Sequence, residues 1–201
     1  MLTPGLRTAT TVVVAACWGA FVLTWLAGAY YNALRGPGDR TRAQFVSMLV
    51  PVYGVTWILH RAVPAEDWAP LIFQVPWARI VGLVVVVVST AFTLWARLAL
   101  GTMWSGAPMV KEQHRLRTDG PYAITRHPIY TGILGMSAGT ALALGGGVWV
   151  VAFPVLLVAI QVKLRIEEGL MLAEFPDDYP DYRRRVPQLV PGLRLPHRAT
   201  G

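Results

Sequence analysis

Charged residues are scarce in this chain. Only 14% of its 201 residues are Asp, Glu, Lys or Arg, whereas 54% are hydrophobic. Soluble domains usually carry about a quarter charged residues, and the mean hydropathy here is +0.46. The apolar residues lie in long blocks that lack the alternating or one-sided patterns of soluble strands and helices. The composition therefore argues against a water-soluble domain and favours a chain whose solvent is the lipid bilayer.

Cysteine and the common catalytic motifs are also nearly absent. Cys17, the one cysteine, lies in the first apolar block, so neither an internal disulfide nor a cysteine metal cluster can form. We find no GxGxxG after a strand, no GxxxxGK[ST], no HExxH and no serine in a nucleophile elbow. No metal site is predicted.

The net charge of +7 would suggest nucleic acid as the partner of a soluble protein. Here the Lys and Arg residues flank the apolar blocks, where anionic headgroups and the positive-inside rule account for them. We expect membrane lipids, and no nucleic acid, as partners.

The apolar blocks have the lengths of membrane spans. A bilayer core needs about 20 apolar residues in a helix, with about 17 as the short limit. Residues 8–34, 43–59 and 80–96 are free of charge and meet that limit. They predict three transmembrane helices.

A fourth uncharged block, residues 128–162, is too long for one span. Gly145, Gly146 and Gly147 interrupt it and permit a reversal of the chain. This predicts a helical hairpin, with residues 128–144 going up and 148–162 returning. Gly135 and Gly139 have the GxxxG spacing, which we interpret as tight packing within the hairpin rather than as a dimer signal.

These blocks together predict an all-α, polytopic membrane protein of about five transmembrane helices. Lys and Arg are concentrated in the first loop, in the linker before the hairpin and in the tail, which should therefore be cytoplasmic, with the N-terminus outside. We expect two parts: residues 1–97 with three helices, and residues 98–201 with the linker, the hairpin and a cytosolic C-terminal tail. The second part has the only polar stretches large enough to form a site.

The start of the hairpin is one place for chemistry. Pro128 suits the first turn of a helix and excludes His127 from it, so Arg126 and His127 should lie at a helix N-terminus. Free amide donors, a positive helix end and two basic side chains favour a carboxylate or phosphate. Alternatively, these residues and the nearby tyrosines are an interfacial belt that anchors the span.

The end of the hairpin is the second place. Glu167 and Glu168 follow the last span, where acidic residues are costly unless paired or used. Adjacent helical side chains point about 100° apart, so the two carboxylates should have different partners. A hairpin brings its ends together, so both glutamates should meet Arg126 and His127 and form a cluster suited to a zwitterionic cofactor. The alternative is simple ion pairing with Arg126, Arg165 or Lys163.

The second half of the chain contains an ordered set of motifs: Trp104, His114-Arg115-Leu116, Gly120-Pro121-Tyr122, the run from Arg126 to Gly132, Glu167-Glu168, Phe175, Tyr179 and Tyr182. In order and spacing this set resembles the isoprenylcysteine carboxyl methyltransferase family. It covers about residues 98–191. Departures are Pro176 where glycine is usual, Met171 where leucine is common, and Pro180 within the tyrosine spacing.

The resemblance implies a membrane enzyme that binds S-adenosylmethionine on the cytosolic side and takes a lipophilic acceptor from the bilayer. For this reaction we expect Glu168 and Arg165 to be catalytic. An arginine could hold an acceptor carboxylate, and Arg165 is the first candidate, with Arg183 the second. The implied cofactor-binding residues are His114, Leu116, Gly120, Pro121, Tyr122, Arg126, His127, Pro128, Tyr130, Gly132, Glu167 and Glu168.

Two other functions stay open at this point. Sterol reductases are similar in this half, and the basic linker could accommodate the phosphates of a reduced nicotinamide cofactor. A non-enzymatic scaffold or carrier would need none of the clustered charges for activity. The acceptor atom, whether oxygen, sulfur or nitrogen, is likewise open.

Overall fold

The computed structural model describes residues 4–33, 54, 56–73, 75–100 and 116–193. Their regular elements are all helical, which confirms the predicted all-α class. The elements are α1 (Pro4–Ala33), a 3-10 helix (Ala65–Leu71), α2 (Pro76–Leu100), α3 (Pro121–Ile124), α4 (Pro128–Leu144), α5 (Val148–Glu174) and α6 (Asp178–Arg185). Residues 56–62 are also helical, and a bend at residue 63 follows them.

Three of these helices are long and apolar enough to cross a membrane: α1 over Gly5–Gly28, α2 and α5. The shorter α4 has 17 residues and the same apolar character. The predicted spans at 8–34 and 80–96 are therefore confirmed as helices that begin a few residues earlier. Most of the predicted span at 43–59 lies outside the described residues.

The predicted hairpin is present. Helix α4 ends at Leu144, Gly145 caps it in the left-handed conformation with φ 89°, and α5 begins at Val148. The return arm does not stop at residue 162, because its helix continues to Glu174. Glu167 and Glu168 therefore lie on the same rigid helix as the span.

The GxxxG pair packs against a helix other than the predicted one. A Cβ on Gly139 would lie 2.8 Å from the carbonyl oxygen of Gly82 and 2.8 Å from the amide nitrogen of Val86, both on α2. A Cβ on Gly135 would overlap the Ser89 side chain, again on α2. The close approach predicted within the hairpin is thus a crossing of α4 over α2, which the sequence interpretation assigned wrongly.

The helix ends sort into two groups. At one end, the Phe73 amide donates to Gly145 O (2.9 Å) and the Gly147 amide to Leu71 O (2.9 Å), so the loop before α2 meets the hairpin tip. At the other end, Gly28 of α1 lies against the Arg97 guanidinium of α2. The loop before α2 and the hairpin tip thus lie at one end, and the ends of α1 and α2 lie at the other, as expected when successive loops alternate between the two sides of a membrane. That the second end is cytoplasmic stays a prediction.

Candidate functional site

The start of α4 is built as the sequence predicts. His127 is the N-cap, with φ −125°, and Pro128 is the first helical residue. The preceding short helix α3 begins at Pro121 after Gly120, whose φ of 58° favours glycine. These turns hold Arg126 and His127 beside the last turns of α5.

Arg126 and Glu168 form the centre of a buried charge cluster. Arg126 donates from Nε (3.0 Å) and Nη2 (2.7 Å) to Oε1 of Glu168. Only 9% of the arginine side chain and 7% of the glutamate side chain are exposed. Charges this deeply desolvated persist only when they are paired and hydrogen-bonded, so each holds the other in place.

His127 lies between the two carboxylates. Its Nε2 is 3.2 Å from Glu168 Oε1, and its Nδ1 is 3.7 Å from Glu167 Oε2. Arg126, His127, Glu167 and Glu168 thus meet at one end of the hairpin, as predicted.

Apart from His127, which lies near both carboxylates, Glu167 has partners of its own, as the helical spacing predicts. It accepts a hydrogen bond from the Tyr130 hydroxyl at 2.7 Å and pairs with Lys163 at 3.3 Å. Its side chain is 28% exposed. Of the two carboxylates, Glu167 is therefore the more accessible.

The two candidate arginines are placed differently. Arg183 of α6 brings its Nε to 3.5 Å from Glu168 Oε2, and its side chain is 26% exposed. Arg165 is exposed on α5 and forms no ion pair with the residues that the structure describes. The structure thus brings the second candidate, Arg183, to the cluster and leaves the first, Arg165, outside it.

Three tyrosines of the elements around the cluster, Tyr122, Tyr179 and Tyr182, are buried. The Tyr182 hydroxyl donates to the carbonyl oxygen of Tyr122 at 2.7 Å, and Tyr179 packs edge-on against Tyr182. Burial raises the pKa of all three phenols, so they stay neutral well into the alkaline range. Because they are 9% exposed or less, they do not form the interfacial belt that the sequence also allowed.

The other predicted cofactor-binding residues have mixed positions. Pro121 and Pro128 are buried, Leu116 is half-buried and Gly120 is exposed. Gly132 does not face the cluster, since a Cβ there would overlap the side chain of Thr93 on α2. His114, together with Trp104 and Lys111, lies outside the described residues.

Residues 186–189, here called the C-terminal strap, cross the start of α4. The Arg126 amide donates to Pro187 O (2.9 Å), the His127 amide to Gln188 O (3.2 Å) and the Thr131 hydroxyl to Leu189 O (2.7 Å). Two of the amide donors at this helix start, those of Arg126 and His127, are therefore already bonded to carbonyl groups of the protein. Sequence reasoning missed the strap because its contacts use carbonyl groups, which every residue carries.

Known proteins are similar to this chain in sequence and in fold. The chain superposes on the structure of the eukaryotic intramembrane Ras methyltransferase ICMT with a TM-score of 0.51 and 25% identity, over 75% of this chain and 53% of that one. Protein-S-isoprenylcysteine O-methyltransferase of Schizosaccharomyces pombe is 36% identical over 81 residues, which are 40% of this chain and 34% of that protein. Methanethiol S-methyltransferase 2 of Bradyrhizobium diazoefficiens is 41% identical over 78 residues, 38% of this chain and 29% of that protein.

All three of these proteins are named as methyltransferases, and one of them is described as intramembrane. The phospholipid methyltransferase family matches residues 77–178, which is half of the chain. The chain belongs to this family. The matched region contains both glutamates, Arg126 and His127, whereas Arg183 and the strap lie beyond it. The chain spans about a third of the length of the two named relatives.

Proposed function

We propose that the protein transfers a methyl group from S-adenosylmethionine to a lipophilic acceptor at the cytoplasmic face of the membrane. The observation that carries the proposal is the two-signed cluster of Arg126, His127, Glu167 and Glu168. It lies at the end of apolar helices, inside the region that matches the phospholipid methyltransferase family.

The chemistry of the cluster fits the methyl donor. The amino-acid end of S-adenosylmethionine carries an ammonium and a carboxylate, and the cluster offers a partly exposed carboxylate, Glu167, and a partly exposed guanidinium, Arg183. These two residues would hold that end by charge-assisted hydrogen bonds. When bound, the donor supplies an activated methyl group on a sulfonium.

The chain's own residues would orient the reactants and exclude water. Methyl transfer requires an in-line arrangement of donor and acceptor, so a site that holds both in place and excludes water lowers its barrier. The named relatives act on different atoms, since one is called an O-methyltransferase and the other an S-methyltransferase. A carboxylate acceptor needs no deprotonation, whereas a thiol must lose a proton, and the imidazole of His127 is the general-base candidate within the cluster.

The test is calorimetric titration of the detergent-purified protein with S-adenosylmethionine and, separately, with NADPH. Glu167→Gln is the informative variant, because Glu167 is accessible and loses its charge without leaving a deeply buried partner unpaired. Glu174→Gln is the matched control, with the same substitution on an exposed residue of the same helix. We expect wild type and Glu174→Gln to bind S-adenosylmethionine, and Glu167→Gln to bind at least about tenfold more weakly, as for loss of one charged hydrogen bond.

Binding of NADPH instead would identify a reductase and overturn the proposal. Unchanged affinity in Glu167→Gln would remove Glu167 from the site while leaving the cofactor assignment intact. Binding of neither cofactor, also after addition of a prenylated cysteine acceptor, would favour a non-enzymatic membrane protein.

A further inference from the structure

Arg126 has almost no capacity left for a ligand. Besides the two bonds to Glu168, its Nη1 donates to the carbonyl oxygens of Arg183 (3.0 Å) and Val186 (2.6 Å). A guanidinium has five N–H donors, and four of them are used by these protein acceptors. Only 9% of the Arg126 side chain is exposed, so protein atoms surround its guanidinium almost completely.

Main-chain hydrogen bonds around Arg126 reach the same part of the chain as its side chain. Its own amide and that of His127 donate to the carbonyls of Pro187 and Gln188 in the C-terminal strap. The bonds of one residue thus link three separate parts of the chain: the start of α4, Glu168 on α5, and the end of α6 with the strap. The same end of α6 carries Arg183, which reaches the second oxygen of Glu168.

We infer that Arg126 is a positioning residue of the cofactor site: it fixes Glu168 and holds the C-terminal strap across the start of α4, and it does not contact the methyl donor. The inference rests on the proposed function for the identity of the donor. It assigns the accessible residues Glu167 and Arg183, rather than Arg126, to direct contact.

Lysine cannot replace arginine in this arrangement. Its ammonium can oppose Glu168, but it has no planar fork that bonds a carboxylate and two carbonyls at fixed angles. Arg126→Lys therefore retains the charge beside Glu168 and releases the strap. Arg126→Gln removes both functions.

The experiment measures strap docking without any ligand. In the full-length protein in detergent, hydrogen exchange of the peptide that contains the His127 amide reports the bond to Gln188 O. We expect exchange at His127 to be at least about tenfold faster in Arg126→Lys and Arg126→Gln than in wild type, since protection reflects the local opening equilibrium. Arg185→Gln, an exposed arginine of α6, is the matched control and should leave exchange unchanged.

The second readout is the dissociation constant for S-adenosylmethionine. We expect it to rise about tenfold or more in Arg126→Gln and to be partly restored in Arg126→Lys, because the charge beside Glu168 returns. Adding Arg126→Gln to Glu168→Gln should give less than the sum of the two single losses, since both variants disrupt the same guanidinium–carboxylate pair.

Loss of binding in Arg126→Lys with unchanged exchange at His127 would show direct contact with the donor and overturn the inference. Additive losses in the double variant would overturn it as well. If Arg126→Gln does not fold, Arg126→Lys and its exchange rate decide the matter. If wild type binds no S-adenosylmethionine, the proposed function fails, whereas exchange at His127 still decides whether Arg126 holds the strap.

Discussion

Tyr182 connects α6 to the short helix α3 through one buried hydroxyl group, whose removal should lower the stability of the protein. Tyr182→Phe keeps the ring and leaves the Tyr122 carbonyl oxygen without its donor. We expect a loss of about 1–3 kcal/mol in the free energy of unfolding, typical of an unsatisfied buried acceptor. The thermal midpoint in detergent at pH 7 should fall accordingly, and a midpoint equal to that of wild type would contradict this.

The same tyrosine predicts a dependence on alkaline pH. Burial raises its pKa above the ordinary value near 10, so the neutral phenol is favoured in the folded state. Its contribution to stability is therefore complete below about pH 10 and is lost as the pH rises further. The thermal midpoint of Tyr182→Phe should fall less steeply than that of wild type between about pH 9.5 and 11, and parallel curves would exclude this contribution.

The members of the charge cluster could be predicted from the sequence where charge and residue spacing determine their partners. Arg126 and Glu168 could be placed together because the hairpin returns to its start and because unpaired charges are costly at a membrane boundary. The choice between Arg165 and Arg183 could not be made, since it depends on how α6 folds back against α5. The hydrogen bonds from Arg126 to the carbonyl groups of residues 183 and 186 could not be predicted either. Every residue has a carbonyl group, whatever its side chain, so the sequence does not indicate which ones accept.

The α2–α4 crossing is the element-scale feature most open to test. Gly139→Ala would place a methyl group against main-chain atoms of Gly82 and Val86, which cannot rotate away. We expect a destabilisation of about 1–3 kcal/mol, as for overpacked cores, measured as a lower thermal midpoint in detergent.

Gly169→Ala on α5 is the matched control for that substitution. A Cβ there would meet nothing within 4 Å, and alanine is the better helix former, so this variant should be stabilised by about 0.5–1 kcal/mol. Equal effects of the two substitutions would contradict the close crossing.

The helix boundaries of the hairpin were readable because Pro128 and Gly145 mark them chemically. The partner of Gly139 was not, since Gly82 stands alone in a run of valines and carries no spacing signal. Sequence also placed the end of the return arm at the last apolar residue, whereas the helix continues to Glu174.

At the scale of the whole molecule, the predicted orientation puts the hairpin tip outside and the charge cluster inside. In a Cys17→Ala background, Glu66→Cys in the 3-10 helix and Glu174→Cys at the end of α5 introduce single thiols at opposite ends. A membrane-impermeant maleimide added to intact cells should label the first, and should label the second only after lysis. The reverse pattern would invert the topology and place the cluster outside.

The C-terminal strap also sets the order in which the protein is completed. Arg126 donates a hydrogen bond to the carbonyl oxygen of Val186, which lies 60 residues later in the chain. The N-terminal part of a chain leaves the ribosome first. The hairpin is therefore synthesised while its buried charges still lack their last acceptors and must remain in contact with water at the membrane surface. Closure of the cluster is accordingly a late event in biogenesis, reached only when the tail has been made and has crossed the start of α4.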